Sequence, residues 1–342
     1  MSAPAVAVEG LTKRYANFTA LDGVSFEVPY GETFGFVGPN GAGKTTTLRI
    51  LATLLSPSSG RAFVGGVEVG GDPYAVRDRM GYMPDFFGVY DRLTAGEYLA
   101  FYARCYNVAS RRVGRVVTDL LELVRLDDRR DSAVDSLSRG MKQRLCLARA
   151  LVHDPAVLLL DEPASGLDPL ARIELRELLK ELREMGKTIL ISSHILPELT
   201  EVCTSFGIIQ GGKMLAAGPP ETLRSAAGAR RVKVRAAGDP AETARIAREI
   251  PGVQEVTVEG ATVVISRDGT GSTGIEDQAI LQALVTAGVA VQAFVPVEED
   301  LETAFLRVMG DGNGAPQGLA SEPAPAAPAG EAPVAPDEEV PT

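Results

Sequence analysis

Gly38-Pro39-Asn40-Gly41-Ala42-Gly43-Lys44-Thr45 spaces its glycines, lysine and threonine as GxxxxGK[ST]. The octapeptide follows an apolar run at 33–37 and opens a helical pattern over 44–54. Glycines at this spacing let successive backbone N–H groups turn inward as an anion nest, and the N-terminus of the following helix adds partial positive charge. Residues 38–46 are therefore expected to cradle phosphates. Lys44 would reach the β- and γ-phosphates, Thr45 would ligate Mg²⁺ and Thr46 would bind another phosphate oxygen. The acidic half of such a site stands at Leu158-Leu159-Leu160-Asp161-Glu162. Its apolar run reads as a buried strand that delivers Asp161 to a sheet's carboxyl edge, where open α/β folds bind ligands. Asp161 would hold Mg²⁺ through its hydration shell, and Glu162 could act as general base toward an attacking water.

Leu137-Ser138-Arg139-Gly140-Met141 lies 23 residues ahead of Asp161, before a helical pattern at 142–152. With these motifs in this order the chain resembles the ATP-binding-cassette (ABC) ATPases, whose signature reads LSGGQ. Gly140 keeps one glycine of that signature, whereas Arg139 and Met141 depart from it. The run LSRGM followed by Lys142-Gln143-Arg144 is similar to ATPase subunits of bacterial ABC-2-type exporters, the drug-resistance and gliding-type transporters. The resemblance is dense over 5–220 and weaker to the end of a closing helix near 310.

The resemblance implies roles for further residues. Tyr15 matches the aromatic that stacks on adenine. Ser165-Gly166-Leu167-Asp168 matches the loop that spans the dimer interface, and His194 the switch histidine that contacts the γ-phosphate. Ser138 and Gly140 would offer donors to a γ-phosphate, although Ser138 also suits a helix cap. Family members carry Gln where this chain has Asp85, after Tyr82-Met83-Pro84. Asp85 is shorter, anionic and lacks an amide donor; it could still face Mg²⁺ or the lytic water. Two chains would sandwich two ATP molecules head to tail, each site joining Lys44 of one to Ser138 and Gly140 of the other. Closure and reopening would drive a separate membrane permease. Phe86, Phe87 and Tyr90 form either a docking groove for a partner helix or a local core.

The elements that must position these residues are legible in the apolar spacing. Residues 5–9, 24–28, 33–37 and 61–69 alternate as strands. Residues 94–106 and 112–124 have helical spacing. The run at 157–160, a charged helix over 170–185 and a second buried run at 188–191 indicate an α/β domain with a mainly parallel sheet. The resemblance adds an N-terminal antiparallel β-subdomain and a helical subdomain at about 85–150 within an ATPase domain at 1–225. Beyond it come a strand at 231–235, a helix at 241–249, a hairpin at 254–258 and 262–266, a helix at 280–287 and a strand at 289–295. That βαββαβ order suggests a small ferredoxin-like α+β domain at 226–310, ending in an amphipathic helix over 298–309. The last residues, 311–342, hold seven prolines and six acids with no Lys or Arg. Such a composition buries too little apolar surface to offset ordering entropy, and disorder is expected.

Composition narrows the function classes. The chain has 342 residues, is 45% hydrophobic and 23% charged, and carries a net charge of −11. That charge argues against a nucleic-acid partner. The longest apolar runs fall far short of the roughly 18–20 residues a spanning helix needs. No signal-peptide pattern opens the sequence, so a cytoplasmic protein is expected, peripheral on the membrane's inner face through the permease. The three cysteines form no CxxC pair and read as small core hydrophobes. The alternatives are a soluble ABC ATPase acting on ribosomes or DNA, and a regulatory ATP-binding module. One set of motifs, and only 94 residues between Lys44 and Ser138, speak against the first. Asp85 and the extra domain motivate the second.

Overall fold

The computed structural model describes residues 3–85, 92–226, 229–268, 277–297 and 301–311. Phe86, Phe87 and Tyr90, expected to form either a docking groove or a local core, lie outside these residues, as does nearly all of the acidic tail. The chain begins with β1 (Val6–Tyr15), β2 (Phe18–Val28), β3 (Thr33–Val37), α1 (Lys44–Leu51), β4 (Ser59–Val64), β5 (Val67–Glu68), α2 (Pro73–Arg79) and β6 (Met80–Met83). Next come α3 (Ala95–Cys105), α4 (Ser110–Leu123), α5 (Arg139–Leu151), β7 (Val157–Asp161), α6 (Pro169–Glu184), β8 (Thr188–Ser193) and α7 (Leu196–Thr200). It continues through β9 (Ser205–Gln210), β10 (Lys213–Gly218), α8 (Pro220–Ala226), β11 (Ala229–Ala236), α9 (Pro240–Arg248) and β12 (Val253–Glu259). β13 (Thr262–Asp268), α10 (Asp277–Thr286), β14 (Val291–Val297) and α11 (Leu301–Asp311) complete it.

The central sheet runs β10-β9-β3-β8-β7-β6, with every pair parallel except β10 on β9. β3, β7 and β8 are buried along their whole length, the pattern of strands covered on both faces. Burial of Leu158, Leu159 and Leu160 is worth roughly 1.5–3 kcal/mol per side chain, enough to hold an acid at the strand's end despite its desolvation. The registers Val37↔Ser193 and Asp161↔Ser192 bring the carboxyl ends of β3, β7 and β8 level. The phosphate loop, the Asp161-Glu162 pair and His194 therefore leave one edge of one sheet.

An antiparallel sheet, β2-β1-β4-β5, packs beside it. Phe26 stacks on Phe34 with ring centroids 5.2 Å apart, joining the two sheets. The strand expected at 61–69 divides at Gly65-Gly66, both at positive φ, where the β4–β5 hairpin turns. Helices α3, α4 and α5 pack together around Tyr98, Leu99, Val117 and Leu121. A capping box between Thr94 and Glu97 starts α3.

The third sheet runs β12-β13-β11-β14, antiparallel throughout, which is the split-βαβ order of a ferredoxin-like fold. Its core of Val232, Val234, Ile265, Ile280 and Leu284 is separate from the others. The closing helix α11 makes its apolar contacts elsewhere. Ala304 is fully buried, and Leu301, Phe305 and Met309 pack on the same core as Leu199 of α7 and Leu223 of α8.

Candidate active site

The loop between β3 and α1 closes tightly on its neighbours. A Cβ at Gly38 would lie 2.2 Å from the carbonyl oxygen of Ile209. Gly43 has φ +113°, where an L side chain is strained. Gly43 is also the N-cap of α1 and offers it no side-chain oxygen, so the first N–H groups of the helix stay open to an anion. Lys44 is 5% exposed. Its Nζ donates to Gly38 O (2.7 Å) and Pro39 O (3.2 Å) and pairs with Glu162 Oε1 at 3.2 Å.

The acidic half is interlocked with that lysine. Asp161 Oδ1 accepts from Ser192 Oγ at 2.8 Å and from Thr45 Oγ1 at 3.1 Å. Burial raises the Asp161 pKa, the bonds from Ser192 and Thr45 oppose the rise, and the charges of Asp85 and Glu162 add to it. Glu162 sits at φ +47°, rare for a side chain with a Cβ. Its N–H donates to Ser192 Oγ at 2.9 Å. Its Oε2 lies 2.8 Å from His194 Nδ1, which must donate because a carboxylate only accepts. One hydroxyl, Ser192, thus fixes both acids. Sequence reading did not single it out, because a serine at the end of an apolar strand has no distinctive pattern until its neighbour strand is known.

The raised pKa has a consequence for stability. An acid whose folded pKa lies above its unfolded value costs the fold stability as pH rises from that unfolded value through the folded one. Asp161→Asn keeps an Oδ1 acceptor for both hydroxyls and removes the buried charge. The variant is expected to melt at a higher temperature than the wild type at neutral pH, with the gap narrowing on acidification, while ATP turnover is lost. A lower melting temperature at pH 7 would contradict this account.

Tyr15, Phe18, Thr46, Asp85, Ser165 and His194 line a cleft of about 410 Å³ together with Asn40, Gly41, Ala42, Gly43, Lys44, Thr45 and Glu162. Tyr15 is 48% exposed, and Lys13 Nζ sits over its ring, 5.2 Å from the centroid. Phe18 joins the cleft without having been singled out from sequence, and Ser165, expected as part of the loop at the dimer interface, lines it too. Gly38, Pro39, Ser138, Gly140, Asp161 and Asp168 do not line it. Ser138 Oγ accepts from Met141 N at 3.3 Å and caps α5; Asp168 Oδ1 accepts from Leu170 N and Ala171 N and caps α6. The oxygens of Thr45, Asp161 and Asp85 are hard donors of the kind Mg²⁺ takes, alongside substrate phosphates and water. Among the described residues no cluster of three or more His, Cys, Asp or Glu forms a self-sufficient metal cage.

Comparison with known proteins agrees with this geometry. The ABC transporter family profile matches residues 21–165. The Nod factor export ATP-binding protein I of Rhizobium meliloti is 36% identical over 306 residues, spanning 90% of this chain and 88% of that protein. A solved ATP-binding subunit of an ABC transporter superposes with a TM-score of 0.59 at 33% identity, covering 64% of this chain and 92% of that one. An ATP-binding cassette solved as a dimer in a post-hydrolysis state with ADP and Pi gives 0.57 at 25% identity, covering 63% of this chain and 98% of that one.

Proposed function

The chain belongs to the ATP-binding-cassette transporter ATPases, and from that premise we propose that it powers an exporter whose membrane pathway is a separate permease chain. It is an ATP-binding, ATP-hydrolysing subunit. The observation that supports a working site is the network Lys44–Glu162–His194 joined through the Glu162 N–H on Ser192 to the set Thr45–Asp161–Ser192, with Lys44, Thr45, Glu162 and His194 lining one cleft while Asp161 and Ser192 are buried. Lys44 turns from Glu162 toward the β- and γ-phosphates when nucleotide enters. Glu162, released on one side and still oriented by His194, then takes the proton of the attacking water. Mg²⁺ held by Thr45, Asp161 and the phosphates would neutralise charge that builds on the transferred group. Ser138, Gly140 and Asp168 do not line their own cleft; in this reading they complete the site of a second copy in a head-to-tail dimer. Export is proposed from the relative named for Nod factor export; the cargo is read by the permease. No helix among the described residues is long and apolar enough to cross a membrane. We place the subunit on the cytoplasmic face, held there by the permease.

The test is ATP turnover by the purified chain, with and without the permease that copurifies with it, in lipid. Turnover that no membrane partner alters would overturn the transport reading.

Asp85 gives a sharper expectation. It is exposed at the cleft, and its charge acts on the buried Asp161. Asp85→Gln removes one of three clustered acids and supplies an amide donor. ATP is expected to bind as tightly or more tightly, and dependence on Mg²⁺ concentration to weaken. Asp85→Ala is expected to bind ATP but to lose stimulation by the permease. Full stimulation in the Ala variant would remove Asp85 from nucleotide sensing.

A further inference from the structure

We propose that Arg139 is a positioning residue that ties the signature end of α5 to the turn carrying Glu162, so that each nucleotide site in the dimer sets the readiness of the other. The inference rests on the dimeric ATPase reading above. Ser138 caps α5 and fixes the backbone of Arg139 at the first helical position. From there the side chain crosses to the loop after Glu162, where Nη2 donates to Ser165 O at 3.0 Å. The contact is more than one bond. Gly166 has φ +65°, and a Cβ built on it would lie 2.5–2.7 Å from Cζ and both Nη atoms of Arg139. The guanidinium therefore lies against the bare face of Gly166, which a larger residue would deny it.

The turn that receives Arg139 is rigidly joined to the catalytic glutamate. Ser165 N donates to Glu162 O at 3.0 Å, and Leu167 N to Ala164 O at 3.3 Å. Glu162 is held in its left-handed conformation, with its N–H on Ser192. Two hydrogen bonds thus connect the Arg139 guanidinium to the carbonyl of Glu162. Movement of α5 has little slack to dissipate in, because a Cβ on Gly140 would stand 2.9 Å from the Ala171 Cβ of α6. Ser165 also lines the cleft beside Glu162 and His194. Residue 139 thus touches this chain's own site while its neighbours, Ser138 and Gly140, are placed to meet the partner's nucleotide. A glycine, which the LSGGQ signature has at this position, carries no donor and cannot make the link.

The experiment compares wild type, R139G, R139M and R139K as full-length protein, measuring ATP hydrolysis against ATP concentration together with thermal melting. The wild type is expected to hydrolyse ATP with a Hill coefficient above one. In R139G and R139M the coefficient falls toward one and kcat drops about fivefold or more, the scale of site-to-site coupling. Half-saturating ATP stays within about twofold and melting is unchanged, since an exposed hydrogen bond contributes little to the fold. R139K, which can still donate to Ser165 O, recovers most of the cooperativity. A wild-type Hill coefficient of one, or wild-type cooperativity in R139M, overturns the proposal while leaving the ATPase reading intact. A lower melting temperature with unchanged cooperativity assigns Arg139 a structural role and also overturns it. Absence of ATP turnover in the wild type would instead remove the reading on which the inference rests.

Discussion

Glu162→Gln is expected to bind ATP and to hydrolyse it about 10²–10⁴ times more slowly than the wild type, the usual contribution of a general base. The substitution preserves the shape of a side chain that is 13% exposed. The amide oxygen can accept from Lys44 as Oε1 does, and the amide NH2 can donate to His194 Nδ1 once the imidazole carries its proton on Nε2. Loss of the negative charge frees Lys44 from its ion pair, so phosphate affinity should be kept or improved. Gel filtration with ATP and Mg²⁺ should show a dimer that persists, because closure no longer ends in hydrolysis. Three readouts therefore move differently: affinity holds or rises, dimer population rises, and turnover collapses. Wild-type turnover in this variant would show that another group activates the water, and His194 would become the first candidate.

Much of this site was legible because its pieces are contiguous. A phosphate loop needs glycines, a lysine and a helix start within eight residues, and residues 38–45 carry all three in one run. Asp161 and Glu162 were legible for a related reason, since four apolar residues can only be a buried strand whose end meets the same edge. What escaped depends on pairing between distant strands. Ser192 matters because the β7–β8 register sets it level with Asp161, and no property of residues 188–193 alone announces that register. The ferredoxin-like order followed from element sequence, because two crossover helices and one hairpin leave few arrangements. The seat of α11 did not follow, since an amphipathic face states that it must be covered and not by what. Residue boundaries moved where backbone geometry decided them. The helix expected over 44–54 ends at Leu51, and Thr53 takes φ +60° just beyond it. The same limit applied to Arg139, which appeared in the sequence only as a departure from a consensus. Its meaning depends on Gly166, 27 positions further on.

Lys44→Ala separates the two duties of the lysine. In the present network its ammonium is nine-tenths buried and satisfies Gly38 O, Pro39 O and Glu162 Oε1. Toward ATP it supplies a charged donor, and loss of one such bond costs about 1.5–3 kcal/mol, or roughly 10- to 10²-fold in affinity. Toward the fold the substitution leaves Glu162 with His194 as its remaining side-chain partner, and breaking a buried ion pair from one side costs on the order of 3–5 kcal/mol. Because Glu162 is not fully enclosed, the lower end of that range is expected. Lys44→Ala should therefore lower both ATP affinity and melting temperature. Adding Glu162→Gln removes the stranded charge, so the double variant should melt above Lys44→Ala alone while its ATP affinity stays low. The cycle of four proteins should show a stability coupling of about 0.5–3 kcal/mol between the two positions. Additive melting effects would mean that the ion pair contributes nothing to the fold. Undiminished ATP affinity in Lys44→Ala would mean that residues 38–46 do not hold the phosphates.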